Sequence, residues 1–223
     1  MALTGEAGRG HAASAVRDAI LRGDMAPGQR LVEDELAAAL GATRASVRAA
    51  LIDLTAAGLV ERVPNRGARV RVVTRDEAIE ITECRQALES LCAAKAAETI
   101  TSEQATSLLT LAARLRRAVH DADPLSYSAL NRELHQAIVT ISGQRTAQDL
   151  LDRLNAQLVR HRFRLSLRPG RPQQSLPEHL AIITAITSHD PRAAGRAARD
   201  HLDSVIRSLR EDDDDPGDQR ARG

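Results

Sequence analysis

The sequence predicts a mostly α-helical protein in which an N-terminal winged helix-turn-helix precedes an all-α helical bundle. Two short helical segments separated by about three residues lie within 33–57, and two alternating, β-branched segments follow at 59–73. Beyond residue 75 the apolar residues recur with helical periodicity almost without a break. We therefore expect a first domain at 1–75, ordered from about residue 11, a second domain at 76–210, and a disordered charged tail at 211–223.

The two short helices have recognisable start and stop signals. The first covers 33–40 with its apolar residues on one face, and Gly41 ends it because glycine readily adopts the left-handed conformation that closes a helix. Thr43 is a suitable N-cap for the second helix, which runs to Ala57. This pattern predicts a helix-turn-helix, a motif whose second helix enters the major groove of DNA.

Basic residues gather on the second helix and on the hairpin that follows it. Residues 41–75 include seven arginines and two acidic residues, although the net charge of the whole chain is only +1. Arg44 and Arg48 share one flank of the second helix because they are four residues apart. The hairpin, with its turn at 64–67, is the predicted wing. Other candidates for DNA contact, beside this flank or at the wing turn, are Thr43, Ser46 and Arg66.

The same region resembles the GntR family of bacterial transcription regulators. The matching segments are 16–23 (VRDAILRG), 27–31 (PGQRL), 35–37 (ELA), 40–41 (LG) and 43–51 (TRASVRAAL). Contact with operator DNA is what the resemblance implies for Thr43, Arg44, Arg48 and the wing-tip Gly67. The chain departs from the family at Ala45-Ser46, where Thr-Pro is common, and at Asp34, where some members have arginine. Because an acidic side chain repels phosphate, Asp34 either faces away from DNA or changes the operator that is bound.

Composition sets broad limits on the protein. A length of 223 residues, with 43% hydrophobic and 27% charged residues, is typical of a globular chain of one large or two modest domains. No apolar run approaches the ~20 residues of a membrane span, and the N-terminus lacks a signal-peptide core, so we expect a cytoplasmic protein with no membrane partner. Cys84 and Cys92 are too far apart on one predicted helix to form a disulfide, and we expect both to be reduced.

Helix signals divide the second domain into six predicted helices. Their approximate bounds are 76–99, 101–122, 124–142, 145–166, 176–188 and 191–210. Thr101 and Gln104 have the spacing of a capping box, and Asp190 precedes a proline at the first helical position. These signals predict a helical bundle.

Three segments of this bundle carry polar residues that resemble a known metal site. Asn131 and His135 are four residues apart, so their side chains project from one helix face, but their spacing alone does not distinguish them from ordinary surface or core residues. The segments 131–138 (NRELHQAI), 178–186 (EHLAIITAI) and 197–202 (AARDHL) resemble the FCD domain, the effector-binding half of FadR-like GntR regulators. In its predicted number of helices, six rather than seven, this domain resembles the VanR-like variant of the FCD domain.

The resemblance to the FCD domain implies a divalent metal ion held by one Asp or Asn and three histidines. The corresponding ligands are Asn131, His135, His179 and His201. Such a set suits Zn²⁺ or Ni²⁺ and leaves coordination positions open for the carboxylate of a small effector. Because Asn131 is neutral, it leaves the site one charge more positive than an aspartate would, which favours an anionic ligand. Expected second anchors for that carboxylate are Arg85, where the family often has arginine, and Arg160 or Arg162.

The resemblance implies a homodimer that binds a pseudo-palindromic operator, and repression relieved by a small organic acid is the common mode of the family. One alternative is a bundle that only dimerises and whose metal site is degenerate. Another is a metal-dependent hydrolase, but the chain has no HExxH or GxSxG motif, and we expect Glu178 to cap the fifth helix after Pro177 rather than to act as a base. A non-specific architectural DNA binder would need more than a net charge of +1.

Overall fold

The structure of the protein is a computed structural model that describes residues 2–63, 67–158, 161, 164–165 and 168–211. Within these residues it contains nine helices and one three-stranded antiparallel sheet, which confirms the predicted fold class. The chain divides into two compact units, the first comprising residues up to Val73 together with a short segment that begins at Asn155. None of the described helices is both long enough and apolar enough to cross a membrane.

The first unit is a winged helix-turn-helix. Its elements are α1 (Gly5–Arg22), β1 (Arg30–Leu31), α2 (Glu33–Leu40), α3 (Arg44–Ala56), β2 (Val60–Val63) and β3 (Gly67–Val70). The strand order is β1-β3-β2, so the predicted wing hairpin carries a third strand that precedes the helix-turn-helix. Val47, Leu51 and Leu54 point from α3 into an apolar core shared with the sheet and with α1, because they recur at helical spacing.

Helix α1 begins at Gly5, before the residue from which we expected order. Two backbone hydrogen bonds hold the preceding residues: the Leu3 amide donates to the Gly41 carbonyl (2.8 Å), and the Thr43 amide donates to the Leu3 carbonyl (3.0 Å). Ala12 is fully buried on the inner face of α1. The segment is rich in glycine, alanine and polar residues, so its order comes from these tertiary contacts, which hydrophobic periodicity does not reveal.

The second unit is a helical bundle. Its described helices are α4 (Arg75–Thr99), α5 (Ser102–His120), α6 (Pro124–Ser142), α7 (Arg145–Gln157), α8 (Arg171–Thr187) and α9 (Pro191–Arg210). Thr101 and Gln104 form the predicted capping box, and the Asp190 side chain caps α9. The core consists of leucine, isoleucine and alanine, with Tyr127 as the aromatic residue among its buried members.

Two predicted helix bounds differ from the structure. Helix α8 begins at Arg171 rather than at Leu176, because the first-turn proline is Pro172 and Pro177 lies inside the helix. A proline within a helix removes one backbone hydrogen bond but does not always end the helix. The fourth helix of the bundle was predicted to reach residue 166, whereas α7 ends at Gln157. The predicted disordered tail lies outside the described residues except for Glu211.

Candidate functional site

The arginines predicted to contact DNA are exposed in the first turns of α3, where they are paired with acidic residues of α2. Arg48 binds the Glu33 carboxylate through two nitrogens, at 2.7 and 3.0 Å. The Arg44 Nε atom lies 3.3 Å from Glu33 and also 3.3 Å from Asp34. Asp34 therefore faces the recognition arginines rather than away from them, and the Arg48 hydrogen bond lowers the pKa of the Glu33 carboxyl despite some burial.

Thr43 and Ser46 act together at the start of α3. The Thr43 side chain is the N-cap and accepts a hydrogen bond from the Ser46 amide at 3.2 Å. Ser46 itself is buried, and its Oγ atom lies 2.9 Å from Thr43 Oγ1. Ser46 faces the core where α3 contacts α1, rather than the exposed flank of Arg44 and Arg48, so its contact with DNA stays a prediction. Gly67 starts β3 with a φ of +85°, a conformation that favours glycine, and Arg66 lies outside the described residues.

The three predicted histidine ligands meet inside the second unit, although they come from three different helices. His135 lies on α6, His179 on α8 and His201 on α9, and their ligating nitrogens all fall within 4.8 Å of one another. The Nε2 atoms of His179 and His201 are 3.3 Å apart. His179 is fully buried, and His201 is buried as well. We call these three residues the histidine cluster.

Each imidazole of the histidine cluster contacts a side-chain oxygen through its Nδ1 atom. His135 Nδ1 lies 2.7 Å from a Glu89 carboxylate oxygen, and His201 Nδ1 lies 2.8 Å from a Glu178 carboxylate oxygen. His179 Nδ1 lies 3.0 Å from the Tyr127 hydroxyl. These contacts leave the Nε2 atoms available to a shared ligand, an arrangement that typically surrounds metal-binding histidines. Glu178 was predicted to cap α8, which is wrong because it lies inside that helix and binds His201.

Asn131 completes the predicted set through a buried oxygen that lacks a partner. Its Oδ1 atom is buried and has no hydrogen-bond partner among the residues that the structure describes. Tyr127, Asn131 and His135 are spaced four residues apart on α6, which places them on one face of that helix. An unsatisfied buried acceptor costs about 1–3 kcal/mol. Because Asn131 lies one turn before His135 on the same face of α6, its oxygen is a candidate fourth ligand beside the three histidines, and these residue types fit a divalent metal.

The electrostatic surroundings keep the buried imidazoles neutral. Burial, followed by the neighbouring histidines, holds the pKa of His179 well below its usual value. Burial also lowers the pKa of His201, although Glu178 opposes that shift. Burial acts to raise the pKa of Glu178, but His201, Ser204 and Arg171 together lower it. A neutral imidazole is the form that binds a metal ion.

Two buried arginines lie behind the histidine cluster. Arg85 was predicted as an effector anchor. It donates to the Glu89 carboxylate at 2.6 and 2.9 Å, and Glu89 in turn contacts His135. Arg171 was not predicted. Its Nη1 atom donates to the Ser204 hydroxyl at 2.9 Å, while its buried Nη2 atom lies 3.6 Å from Glu178 without a hydrogen bond. The predicted anchors Arg160 and Arg162 lie outside the described residues.

The space beside the histidine cluster is small. A cavity of about 10 Å³, room for about one water molecule, is lined by Glu89, Cys92, His135 and apolar residues. An open groove on the surface is lined by Glu178 and His201 together with Ala181 and other residues of α8 and α9. Cys92 is a free, buried cysteine, and Cys84 is free and exposed.

Comparison with known proteins gives consistent results for both units. Residues 9–70 match the family described as bacterial regulatory proteins, gntR family, and residues 80–204 match the FCD domain. The chain is 30% identical over 197 residues to the HTH-type transcriptional repressor RspR of Escherichia coli, with 86% of each chain covered. It is 31% identical over 196 residues to an uncharacterised HTH-type regulator of Streptomyces ambofaciens, covering 86% of this chain and 80% of the relative.

Solved structures agree at the level of the fold. Escherichia coli McbR/YncC superposes with a TM-score of 0.75 at 20% identity, covering 94% of this chain and 99% of the other. A GntR regulator from Rhodococcus sp. RHA1 gives a TM-score of 0.69 at 24% identity, covering 92% and 98%. The relatives are transcription regulators and not enzymes, which leaves no support for the hydrolase alternative. With a winged helix-turn-helix joined to an FCD domain, the chain belongs to the GntR family and is a DNA-binding transcription regulator.

Proposed function

We propose that this regulator is a homodimeric repressor whose FCD domain binds a divalent metal ion, Zn²⁺ or Ni²⁺, and through it a small organic acid that releases the operator. The observation that carries the proposal is the histidine cluster. Each Nδ1 atom contacts a side-chain oxygen, which leaves the three Nε2 atoms available to one shared ion. His135, His179, His201 and the unpartnered oxygen of Asn131 would hold the ion. When bound, the ion supplies an electropositive centre for a carboxylate.

The DNA-binding part of the proposal depends on α3. We expect a dimer to place two copies of this helix in successive major grooves of a pseudo-palindromic operator, about 34 Å apart along the duplex. Arg44 and Arg48 would contact bases and phosphates, Thr43 would contact the backbone at the start of the helix, and Gly67 would allow close approach of the wing. Repression, rather than activation, is supported by the name of the relative RspR.

Binding of the organic acid would involve Arg85 as well as the metal. The guanidinium of Arg85 is buried and paired with Glu89, and Glu89 in turn contacts His135. In this structure Arg85 is therefore linked to the histidine cluster through Glu89 and does not contact the histidines directly. We expect the protein to act in the cytoplasm, where operator DNA is found.

The metal site is tested by measuring bound metal in the purified full-length protein. We expect about one equivalent of Zn²⁺ or Ni²⁺ per chain for the native sequence and loss of that metal in His179→Ala. The matched control is His120→Ala, because His120 is an exposed histidine at the end of α5. Since His179 is buried, His135→Gln provides a second variant, and circular dichroism checks that helical content is retained. Full metal retention by both site variants would contradict the assignment.

The DNA-binding surface is tested on an operator selected from random DNA. Arg44→Ala and Arg48→Ala should each abolish specific retardation of that operator while leaving the circular dichroism spectrum unchanged. Arg132→Ala, which removes an exposed arginine of α6, is the control that should bind normally. Unchanged specific binding by both α3 variants would refute the recognition-helix assignment. A protein that binds DNA normally but contains no metal would favour the alternative of a degenerate, purely dimerising FCD domain.

A further inference from the structure

The DNA-binding unit is not made of N-terminal residues alone. It also contains a segment that begins at Asn155, near the end of α7, although α7 up to Leu154 belongs to the second unit. We propose that Gln157 of this segment is a positioning residue for DNA binding, because it holds the base of the wing against the end of the recognition helix. The inference rests on the proposed contact of α3 and the wing with operator DNA, and it does not depend on the metal site.

The segment packs on the first unit through both apolar and polar side chains. Ala156 packs against the apolar core that α3 shares with the sheet and with α1. Gln157 is half-buried, and its side chain lies against the turn that follows α3. The next residue, Leu158, is only 1% exposed. The segment is therefore a packed part of this unit and not a linker that passes over its surface.

The turn after α3 leaves room for the Gln157 side chain because it contains a glycine. Gly58 has a φ of +73°, the left-handed conformation that commonly follows the end of a helix. A Cβ atom on Gly58 would lie 2.8 Å from Gln157 Cδ and 2.9 Å from Gln157 Nε2. Gly58 thus both ends the recognition helix and allows the glutamine to approach the backbone closely.

The same glutamine side chain binds the base of the wing. Arg71 directly follows β3, and its Nη1 atom donates to Gln157 Oε1 at 2.8 Å, although the two residues are 86 positions apart in the sequence. The Arg71 amide donates to the carbonyl of Leu59, the residue after Gly58, at 3.0 Å. Gln157 therefore contacts both sides of the junction at which the recognition helix meets the wing.

This junction determines where the wing tip lies when α3 occupies its groove. Strands β2 and β3 have four residues each. Because such a strand is about 13 Å long, a tilt of about 10° at its base moves its tip by about 2 Å. A hydrogen bond between the wing and a phosphate is lost after a displacement of that size. A side chain that fixes the base of the wing thus acts on DNA contacts that it does not itself make.

The inference is tested with Gln157→Ala in the full-length protein, on the operator selected from random DNA. We expect this variant to bind the operator about tenfold more weakly, with a slope of the salt dependence lower by about one, because a phosphate contact of the wing is no longer aligned. Gln148→Ala is the matched control. Gln148 is also a half-buried glutamine of α7 but lies in the second unit, so its replacement should leave operator binding native.

Footprinting of the bound operator separates the wing from the recognition helix. Protection of guanine N7 from methylation reports α3 in the major groove. The sugars that the wing protects from hydroxyl radicals are identified as those whose protection is lost in Arg66→Ala. Gln157→Ala should lose the protection of these sugars and keep the protection of guanine N7. Gln157→Glu retains an oxygen acceptor for Arg71 and should keep both.

Each contrary outcome has a distinct meaning. Native affinity and a native footprint for Gln157→Ala would overturn the inference and leave the proposed DNA contacts in place. Loss of the guanine N7 protection together with that of the sugars would also overturn it, because Gln157 would then stabilise the whole unit. Equal effects of Gln157→Ala and Gln157→Glu would exclude the hydrogen bond from Arg71 as the cause. A footprint that Arg66→Ala does not change would refute the proposed wing contact and this inference with it.

Discussion

Each histidine of the cluster is oriented by the group that contacts its Nδ1 atom, and these contacts determine whether its Nε2 atom can bind a metal. For His179 Nε2 to bind a metal, Nδ1 must carry the proton and donate it to the Tyr127 oxygen, 3.0 Å away. Burial raises the pKa of Tyr127, which keeps the phenol neutral. The carboxylates of Glu89 and Glu178 fix the other two rings in the same manner.

Replacing one of these carboxylates should weaken metal binding without removing a ligand. Glu178→Gln keeps the shape of the side chain but makes it a weaker acceptor for the His201 Nδ1–H group, so zinc affinity should fall by about 10- to 100-fold. Glu133→Gln, in an exposed ion pair with Arg114, is the matched control and should have native affinity. Competition with a chelator measures both variants, and a native affinity for Glu178→Gln would show that Glu178 does not support His201.

The buried histidines should also make the metal-free protein sensitive to mild acid. In the folded state the pKa values of His179 and His201 lie below the usual histidine value of about 6.5 that applies to the unfolded chain. As the pH falls below about 6.5, the unfolded state therefore takes up protons that the folded state does not, and the free energy of unfolding decreases. The lowered pKa of Glu178 acts in the same direction, but only once the pH approaches the usual glutamate value of about 4.5.

Urea unfolding in the presence of a chelator measures this effect. Comparison of about pH 7.5 with about pH 5.5 should show a clear loss of stability in the native protein and a smaller loss in His179→Gln. His120→Ala should retain the native pH dependence. An unfolding free energy that does not change across this interval would mean that the buried imidazoles accept protons without cost.

Sequence patterns and family resemblance predicted the ligands of this site but not the residues that orient them. Spacing on one helix relates Asn131 to His135, whereas the contacts of Glu89 and Glu178 with histidines join different helices. Arg85 and Glu89 are four residues apart, which is a detectable signal for an ion pair, but the pattern does not show that the pair is buried. The orienting residues thus depend on helix packing, which single-sequence periodicity does not specify.

At the scale of secondary-structure elements, helix α1 approaches α3 closely because it carries a glycine at the point of contact. A Cβ atom on Gly8 would lie 2.6 Å from the Leu3 carbonyl oxygen and 2.8 Å from Ser46 Oγ. Gly8→Ala should therefore destabilise the first unit by about 1–3 kcal/mol, because the backbone oxygen cannot move aside easily.

A second glycine of the same helix provides the control. A Cβ atom on Gly10 would meet no heavy atom within 4 Å. Gly10→Ala should instead stabilise the protein by about 0.5–1 kcal/mol through helix propensity. Chemical denaturation measures both variants, and a loss of stability of equal size in the two would contradict the packing explanation.

The acidic first turn of α2 should modulate how α3 binds DNA. Asp34 is exposed and pairs with Arg44, so it competes with phosphate for that arginine and repels the DNA backbone. Asp34→Asn should tighten binding to non-specific DNA and steepen its dependence on salt concentration. Glu35→Gln removes the same charge from the next residue, which points about 100° away around the helix, and should have a smaller effect. Fluorescence anisotropy at several salt concentrations measures both the affinity and its salt dependence. Equal effects of the two variants would mean that Asp34 acts only through the net charge of the protein.

The elements themselves were predictable to different extents. The helix-turn-helix and the wing follow from local signals, namely caps, glycines and alternating apolar residues, and the structure has them at nearly the expected bounds. Helix α8 was misplaced because Pro177 resembles a first-turn proline when only the sequence is considered. In the folded chain, packing of Ser175, His179 and Ile182 on one buried face stabilises the helix across that proline.

At the scale of the whole molecule, the net charge of +1 limits how the regulator can hold DNA. Such a chain has little general attraction for phosphate, so we expect its affinity to depend on the local basic surface of α3 and on the two copies of α3 in the proposed dimer. A modest change in the geometry of the dimer is then sufficient to alter operator affinity. A ligand in the FCD domain acts in this way if it binds the two states of the dimer with different affinity.

Succinate, a small organic acid, serves as a probe of the proposed effector site. If it binds there with the metal, zinc and succinate together should lower the affinity of the native protein for its selected operator by about 5- to 150-fold, and operator DNA should lower the affinity for zinc and succinate by the same factor. The fall in operator affinity should be absent in His179→Ala, which keeps the α3 surface but loses a proposed ligand. Arg48→Ala should show the reverse pattern, binding zinc and succinate normally while failing to bind the operator. Anisotropy titrations of labelled operator, with and without the two ligands, make the comparison. If zinc and succinate stabilise the protein against heat yet leave operator affinity unchanged, the FCD domain binds its ligand without affecting α3. A ligand that binds both states of the dimer with equal affinity does not shift the equilibrium between them.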